Sequence, residues 1–262
     1  MSPAAIADRF DSLSLDELNT RAALLTRVDR KYIVDRWTLG AFADAIASDF
    51  LILEIESRRV FTYDTVYFDS EALDAYHAHV QGRRRRFKVR SRRYVDSDRH
   101  VFEVKLKGLR GATVKHQLPI EQADHGTMTA DAERFAREVL TDAYGRGLPG
   151  AMGSALAMTY RRVTLAARDD AERVTCDFAL SFGSAALAPG RVIVETKSER
   201  GRGEADRALR ALGARPINVS KYCAGIALTR QDTRANPWLA VLRRHFVATP
   251  AAGAPEAQVA AA

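Results

Sequence analysis

Residues 83–94 read RRRRFKVRSRRY, and this stretch limits the possible folds more than any other. In a strand, side chains alternate across two faces, so Arg84, Arg86, Lys88, Arg90 and Arg92 share one face and Phe87 and Val89 take the other. Five cations in a row on one face repel one another unless an anion neutralises them. The pattern recurs. Over 101–107, Glu103, Lys105 and Lys107 oppose Phe102, Val104 and Leu106; over 172–178, Arg173, Thr175 and Asp177 oppose Val174, Cys176 and Phe178. Over 191–197, Arg191, Glu195 and Lys197 oppose Val192 and Val194. Four strands with one apolar and one charged face fit a sheet with one wet face, or a barrel wet inside and coated outside by helices. The supply of apolar helices favours the barrel.

Strands are expected at 27–34, 60–68, 83–94, 100–107, 114–121, 157–166, 172–180 and 191–198. Helices are expected at 11–23, 37–46, 131–144, 203–212, 220–229 and 237–246. There is no regular βαβ alternation, so the expected fold is α+β, an antiparallel eight-stranded barrel with helices packed outside. The expected division is an N-terminal helical segment over 1–24, the barrel over 25–230, a C-terminal helix over 231–247 and a disordered Ala/Pro/Gly-rich tail over 248–262. The helix around Trp238 is a candidate cap for one mouth of the barrel.

Charge narrows the partner. Between residues 82 and 110 there are twelve Lys/Arg and three acids, a net +9, while the rest of the chain carries −2. The whole cationic excess is met at one place, which points to a polyanion. Nucleic-acid binders interleave aromatic residues with basic ones to stack bases, and Tyr94 is the only aromatic on this face, so nucleic acid is not the expected partner. No apolar run is long enough for a membrane helix, and Cys176 and Cys223 lack disulfide or zinc-site spacing, so a cytoplasmic protein is expected. Guanidinium and ammonium groups around a few carboxylates suit a phosphate chain and a hard divalent metal.

The motifs Arg30-Lys31-Tyr32, Tyr67-Phe68-Asp69, RRFKVRSRRY at 85–94, FEVKLK at 102–107 and Tyr160-Arg161-Arg162 continue with RVTCD at 173–177, VETK at 194–197 and Ser220-Lys221-Tyr222. In this order they resemble the catalytic domain of the vacuolar transporter chaperone (VTC) family, polyphosphate polymerases of the triphosphate tunnel metalloenzyme superfamily. The resemblance implies an eight-stranded tunnel that binds ATP or another triphosphate and extends a polyphosphate chain, with Mn²⁺ or Mg²⁺ as cofactor. It implies Arg90, Arg92, Lys105, Arg173, Glu195 and Lys197 as catalytic residues, and phosphate contacts from these cations together with Lys31, Arg161 and Lys221. Arg86, Lys88 and Lys107 join the phosphate set from the basic strand faces. Glu195 is the implied metal ligand and Glu103 a second candidate.

Alternation leaves open whether Arg161 or Arg162 points inward, and whether Asp177 is a strand-end hydrogen-bonding residue or a group behind the metal ligands. Glu54-x-Glu56-x-Arg58 echoes the Glu-x-Glu-x-Lys signature of the thiamine-triphosphatase and class IV cyclase branch but reads as an edge strand with solvated acids. The pair His77-x-His79 reads as a surface turn. Tyr32, Tyr67 and Tyr222 read as packing residues, any one of which could stack on adenine. Two alternatives to a polymerase follow: a tripolyphosphatase or nucleoside triphosphatase on the same fold, and a polyanion-binding module without turnover.

Overall fold

The computed structural model of the protein describes residues 2–21, 28–108, 113–199, 201–230 and 232–249. In chain order the elements are α1 (Pro3–Ala7), β1 (Ser12–Leu13), α2 (Leu15–Arg21), β2 (Val28–Asp35), α3 (Arg36–Ile46), β3 (Phe50–Leu53), β4 (Phe61–Asp69) and α4 (Asp74–Val80). Then follow β5 (Phe87–Tyr94), β6 (Arg99–Lys107), β7 (Thr113–Pro119), α5 (Ala130–Tyr144), β8 (Gly153–Ala167), β9 (Arg173–Ser181), β10 (Ala185–Leu187) and β11 (Arg191–Ser198). The chain ends with α6 (Glu204–Ala211), α7 (Lys221–Thr229), α8 (Leu239–His245) and β12 (Phe246–Ala248). No described helix is long and apolar enough to cross a membrane.

The strands form one sheet of twelve rather than a closed barrel of eight. Eight of them make a continuous antiparallel run, β2-β11-β9-β8-β4-β5-β6-β7. Among the described residues the two ends of that run do not hydrogen-bond to each other. The free edge of β2 instead takes the segment leading into α7, where the Ile217 amide donates to the Lys31 carbonyl at 2.7 Å. The remaining strands are short: β1 pairs with β3, β3 with β8, and β10 links β9 to β12.

The apolar strand faces carry the outer core. Val34, Val163, Val174, Cys176, Val192 and Val194 pack under α3 and α6, and Phe87, Val89, Phe102, Val104 and Leu106 pack under α5. Asp35 starts α3 by accepting from the Trp37 and Thr38 amides at 3.1 and 2.9 Å. Not every helix lies outside. α7 packs on the charged side of the sheet, its Tyr222, Cys223 and Ile226 against Tyr67, Leu156, Tyr160 and Ile193. Gly225 makes this possible: a Cβ there would lie 2.3 Å from Leu156 Cδ2.

Other expectations shift. Residues 1–24 contain a strand as well as helices in their described part. The 83–94 strand starts only at Phe87, so Arg84 lies in an exposed bend outside the basic row. Ala248 is paired with Ala185, so the tail does not begin there; the rest of it, beyond Thr249, lies outside the described residues. Glu54–Arg58 is no edge strand. Glu56 and Ser57 adopt positive φ in a tight turn closed by two hydrogen bonds between Ile55 and Arg58, and Glu54 pairs with Arg59 at 2.5 Å.

Candidate functional site

The charged faces of the eight-strand run converge on three carboxylates. On β6, Glu103 is 1% exposed; its Oε2 meets the Arg90 guanidinium, and its Oε1 accepts from Gln117 Nε2 at 2.7 Å and faces Lys115 Nζ at 3.6 Å. Burial alone would raise its pKa, but Arg90, Arg92 and Lys115 hold it well below the usual carboxylate range. On β9, fully buried Asp177 takes a bidentate pair from Arg162 at 2.5 and 2.9 Å and a contact from Lys221 of α7. On β11, Glu195 lies 3.4 Å from Lys197 Nζ and 3.7 Å from Lys31 Nζ, its opposite number on β2. Against the effect of burial, Lys197, Lys31, Lys221 and Lys105 keep it well below its ordinary value.

Hydroxyl groups fix the remaining cations. Arg90 donates to Tyr67 Oη at 3.1 Å, Arg92 to Thr65 Oγ1 and Tyr160 Oη at 3.2 and 2.9 Å, and Lys88 to Ser220 Oγ at 2.8 Å. Beside them opens a cavity of about 480 Å³ whose lining includes Lys31, Arg86, Lys88, Lys105 and Lys107. Lys105 is pushed down to about 7, by burial first and then by Lys88 and Arg90, with Glu195 opposing. Its neighbourhood holds more positive charge than the protein neutralises.

The structure thus gathers Lys31, Arg86, Lys88, Arg90, Arg92, Glu103, Lys105, Lys107, Glu195, Lys197 and Lys221 around one interior. Arg173 shares the face of Thr175 and Asp177 but lies toward α2, donating to the Leu18 carbonyl at 3.3 Å. Arg161 is not brought in. It is exposed on the opposite face, because a bulge near Thr159 sets the β8 register so that Arg162 meets Asp177 and Arg161 meets Phe178. Asp177 is therefore the anchor of an arginine and a lysine. Sequence reasoning also missed Lys115 and Gln117; alternation along β7 puts both on one face, a signal weakened by the strand's exposed edge position.

Two carboxylates were candidates for a metal. Among the described residues no three His, Cys, Asp or Glu side chains converge as ligands. Glu103 does not fit, since both of its oxygens are taken by Arg90 and Gln117. Glu195 fits better: its lysine contacts are longer, and a Mg²⁺-type ion needs only one or two carboxylates when water and substrate phosphates complete the shell.

The fold and its interior define a class, proteins with a curved antiparallel sheet and a strongly cationic inner face. The VTC domain matches residues 26–230, and the chain belongs to that family. Its fold is shared with solved structures of low sequence identity. A putative adenylyl cyclase from Hippeastrum, described as having a dominant triphosphatase activity, superposes with a TM-score of 0.53 at 13% identity, over 79% of this chain and 97% of that one. A putative adenylate cyclase from Bacillus halodurans reaches 0.43 at 12% identity, over 74% and 94%. No curated protein gives a significant sequence match.

Proposed function

We propose that the protein is a metal-dependent polyphosphate polymerase that transfers the γ-phosphoryl group of ATP to the end of a polyphosphate chain held in the cationic interior. The observation that carries this is the state of the inner carboxylates. Glu103, Asp177 and Glu195 each face two cations and are held ionised or paired. Hydrolysis gains from a carboxylate that positions and deprotonates water, whereas a terminal phosphate is already an ionised nucleophile and needs no base. The number of ammonium and guanidinium groups also exceeds what one triphosphate requires.

In this reading Lys31, Arg86, Lys88, Lys105, Lys107, Lys197 and Lys221 bind phosphate oxygens, and Arg90 and Arg92 add charge at the reacting group. A loose phosphoryl-transfer transition state spreads charge over its equatorial oxygens, so fixed cations in a water-poor site stabilise it directly. Glu195 would hold the divalent ion, Mn²⁺ or Mg²⁺, which supplies charge neutralisation between phosphates when bound. Arg173 completes the set at the α2 end. The tunnel domain, 25–230, and a cytoplasmic site of action belong to the same proposal, the latter supported by two unpaired cysteines.

The test follows ADP, free phosphate and polymer together after incubation with ATP and Mn²⁺, with Glu195→Gln and Arg90→Ala alongside. ADP with long polymer, lost in both variants, is expected. ADP with free phosphate and no polymer would make the protein a triphosphatase, and polyanion binding that EDTA leaves unchanged, without turnover, would make it a binding module.

A further inference from the structure

The outer face of the sheet, turned away from the cationic interior, carries a polar row. Asp64 on β4, Arg93 on β5 and His100 on β6 are cross-strand neighbours, Asp64 opposite Arg93 and Arg93 opposite His100. The connection from β7 to α5 folds back over this row. Its Ile120 amide donates to the His100 carbonyl at 3.3 Å, and the amide of Gly126, at a φ of +84°, donates to Ser91 Oγ at 2.9 Å. Between these two anchors the segment sets His125 on the row, its ring centroid 5.9 Å from that of His100.

Arg93 is paired with Asp98 at 3.0 Å. The imidazoles are less well served. His100 Nε2 and both ring nitrogens of His125 are buried with no hydrogen-bond partner among the described residues. Asp64 Oδ2 stands 3.5 Å from His125 Nε2, beyond ordinary hydrogen-bond length. Both separations fit ligands of one ion. With metal–ligand bonds of about 2.0–2.2 Å, adjacent donors of a tetrahedral site lie about 3.3–3.5 Å apart, and the centroids of two bound imidazoles about 5–6 Å. Burial lowers the His125 pKa, with Asp64 opposing and His100 and Arg93 adding to the fall, so the ring is neutral near pH 7 and keeps a lone pair.

We propose that Asp64, His100 and His125 form a second metal site, on the outer face of the sheet, which takes one divalent ion of the Zn²⁺ type and staples the β7–α5 connection to β4 and β6. Two imidazoles and one carboxylate select such an ion over Mg²⁺, which prefers oxygen donors, so the site is chemically distinct from Glu195. Among the described residues no three donors converge on one point; Asp64 and His125 already stand at ligand spacing, and His100 joins by turning its ring when the ion arrives.

The experiment is a titration of the full chain with Zn²⁺ against a chromophoric chelator, in excess Mg²⁺, with melting temperatures recorded with and without zinc. The variants are His125→Ala, Asp64→Asn and Glu195→Gln. One Zn²⁺ per chain is expected, with a rise in melting temperature of about 5 °C at a hundredfold excess over Kd. His125→Ala and Asp64→Asn should each weaken zinc about tenfold or more and remove most of that rise, and Glu195→Gln should leave both within about twofold. If Asp64→Asn does not fold, His125→Ala carries the test from its connecting segment. No binding by the wild type at about 100 µM Zn²⁺ overturns the site. Zinc retained by folded His125→Ala, or lost in Glu195→Gln, places the ion elsewhere and overturns it equally.

Discussion

Two regions of the interior hold similar numbers of cations and use them differently. Around Glu103 and Asp177, arginines are locked to carboxylates, and pairing raises Arg90 and Arg162 above their ordinary values despite burial. Around the cavity, burial and neighbouring cations lower Lys88 and Lys105. In the first region the protein itself supplies the counter-charge, which fixes Arg90 and Arg162 in the wall of the interior. In the second, Lys31, Arg86, Lys88, Lys105 and Lys107 line the cavity with Asp29 as the acid among them, an imbalance that a phosphate chain would offset under the proposed function. The two regions thus differ in where the counter-charge of each buried cation comes from.

Asp177→Ala should break this contrast most severely, because it leaves Arg162 and Lys221 buried without a partner. We expect a loss of about 3–5 kcal/mol in chemical denaturation, and a loss under 1 kcal/mol would mean that the pair is no brace. Lys105→Met should do the reverse. Removing a repelled charge leaves the melting temperature level or raised, while tripolyphosphate affinity falls about tenfold or more in calorimetric titration, the scale of one buried charge-assisted contact. The same lysine sets a pH dependence. Its folded pKa of about 7 lies below its ordinary value, so between the two the unfolded chain binds more protons and stability rises with pH. Phosphate affinity runs the other way and should fall as pH passes upward through about 7, which titrations between pH 6 and 8.5 would detect; Lys105→Met should flatten that slope. Arg161→Ala is the smallest change expected: stability within about 0.5 kcal/mol and polymer formation unaltered. A large loss of activity there would place Arg161 in the interior after all.

The strands that build the interior were legible because alternation is local. β5, β6, β9 and β11 each show their two faces in sequence, and the structure keeps Lys88, Arg90, Glu103, Lys105, Asp177, Glu195 and Lys197 on the charged side. β3 was missed for the opposite reason: all four residues are buried, so no period of two marks them. α4 was read as a turn because its start carries no cap of its own. Leu73 adopts positive φ, and the Ala75 and Tyr76 amides are satisfied by Asp69, at the end of β4, at 2.9 Å each. His79 thereby comes to the cavity instead of the surface.

The sequence by itself determined that a basic, two-faced antiparallel sheet would turn its charge toward one shared space, since side-chain alternation and charge repulsion act between near neighbours. Only the tertiary structure decided which cation meets which carboxylate. Glu103 met Arg90 across one hairpin, but Asp177 met Arg162 through a bulge and Lys221 through a helix laid against β8 at Gly225. Those contacts depend on register and on the close approach of segments 44 residues apart in the chain (Asp177 and Lys221), which no local pattern encodes.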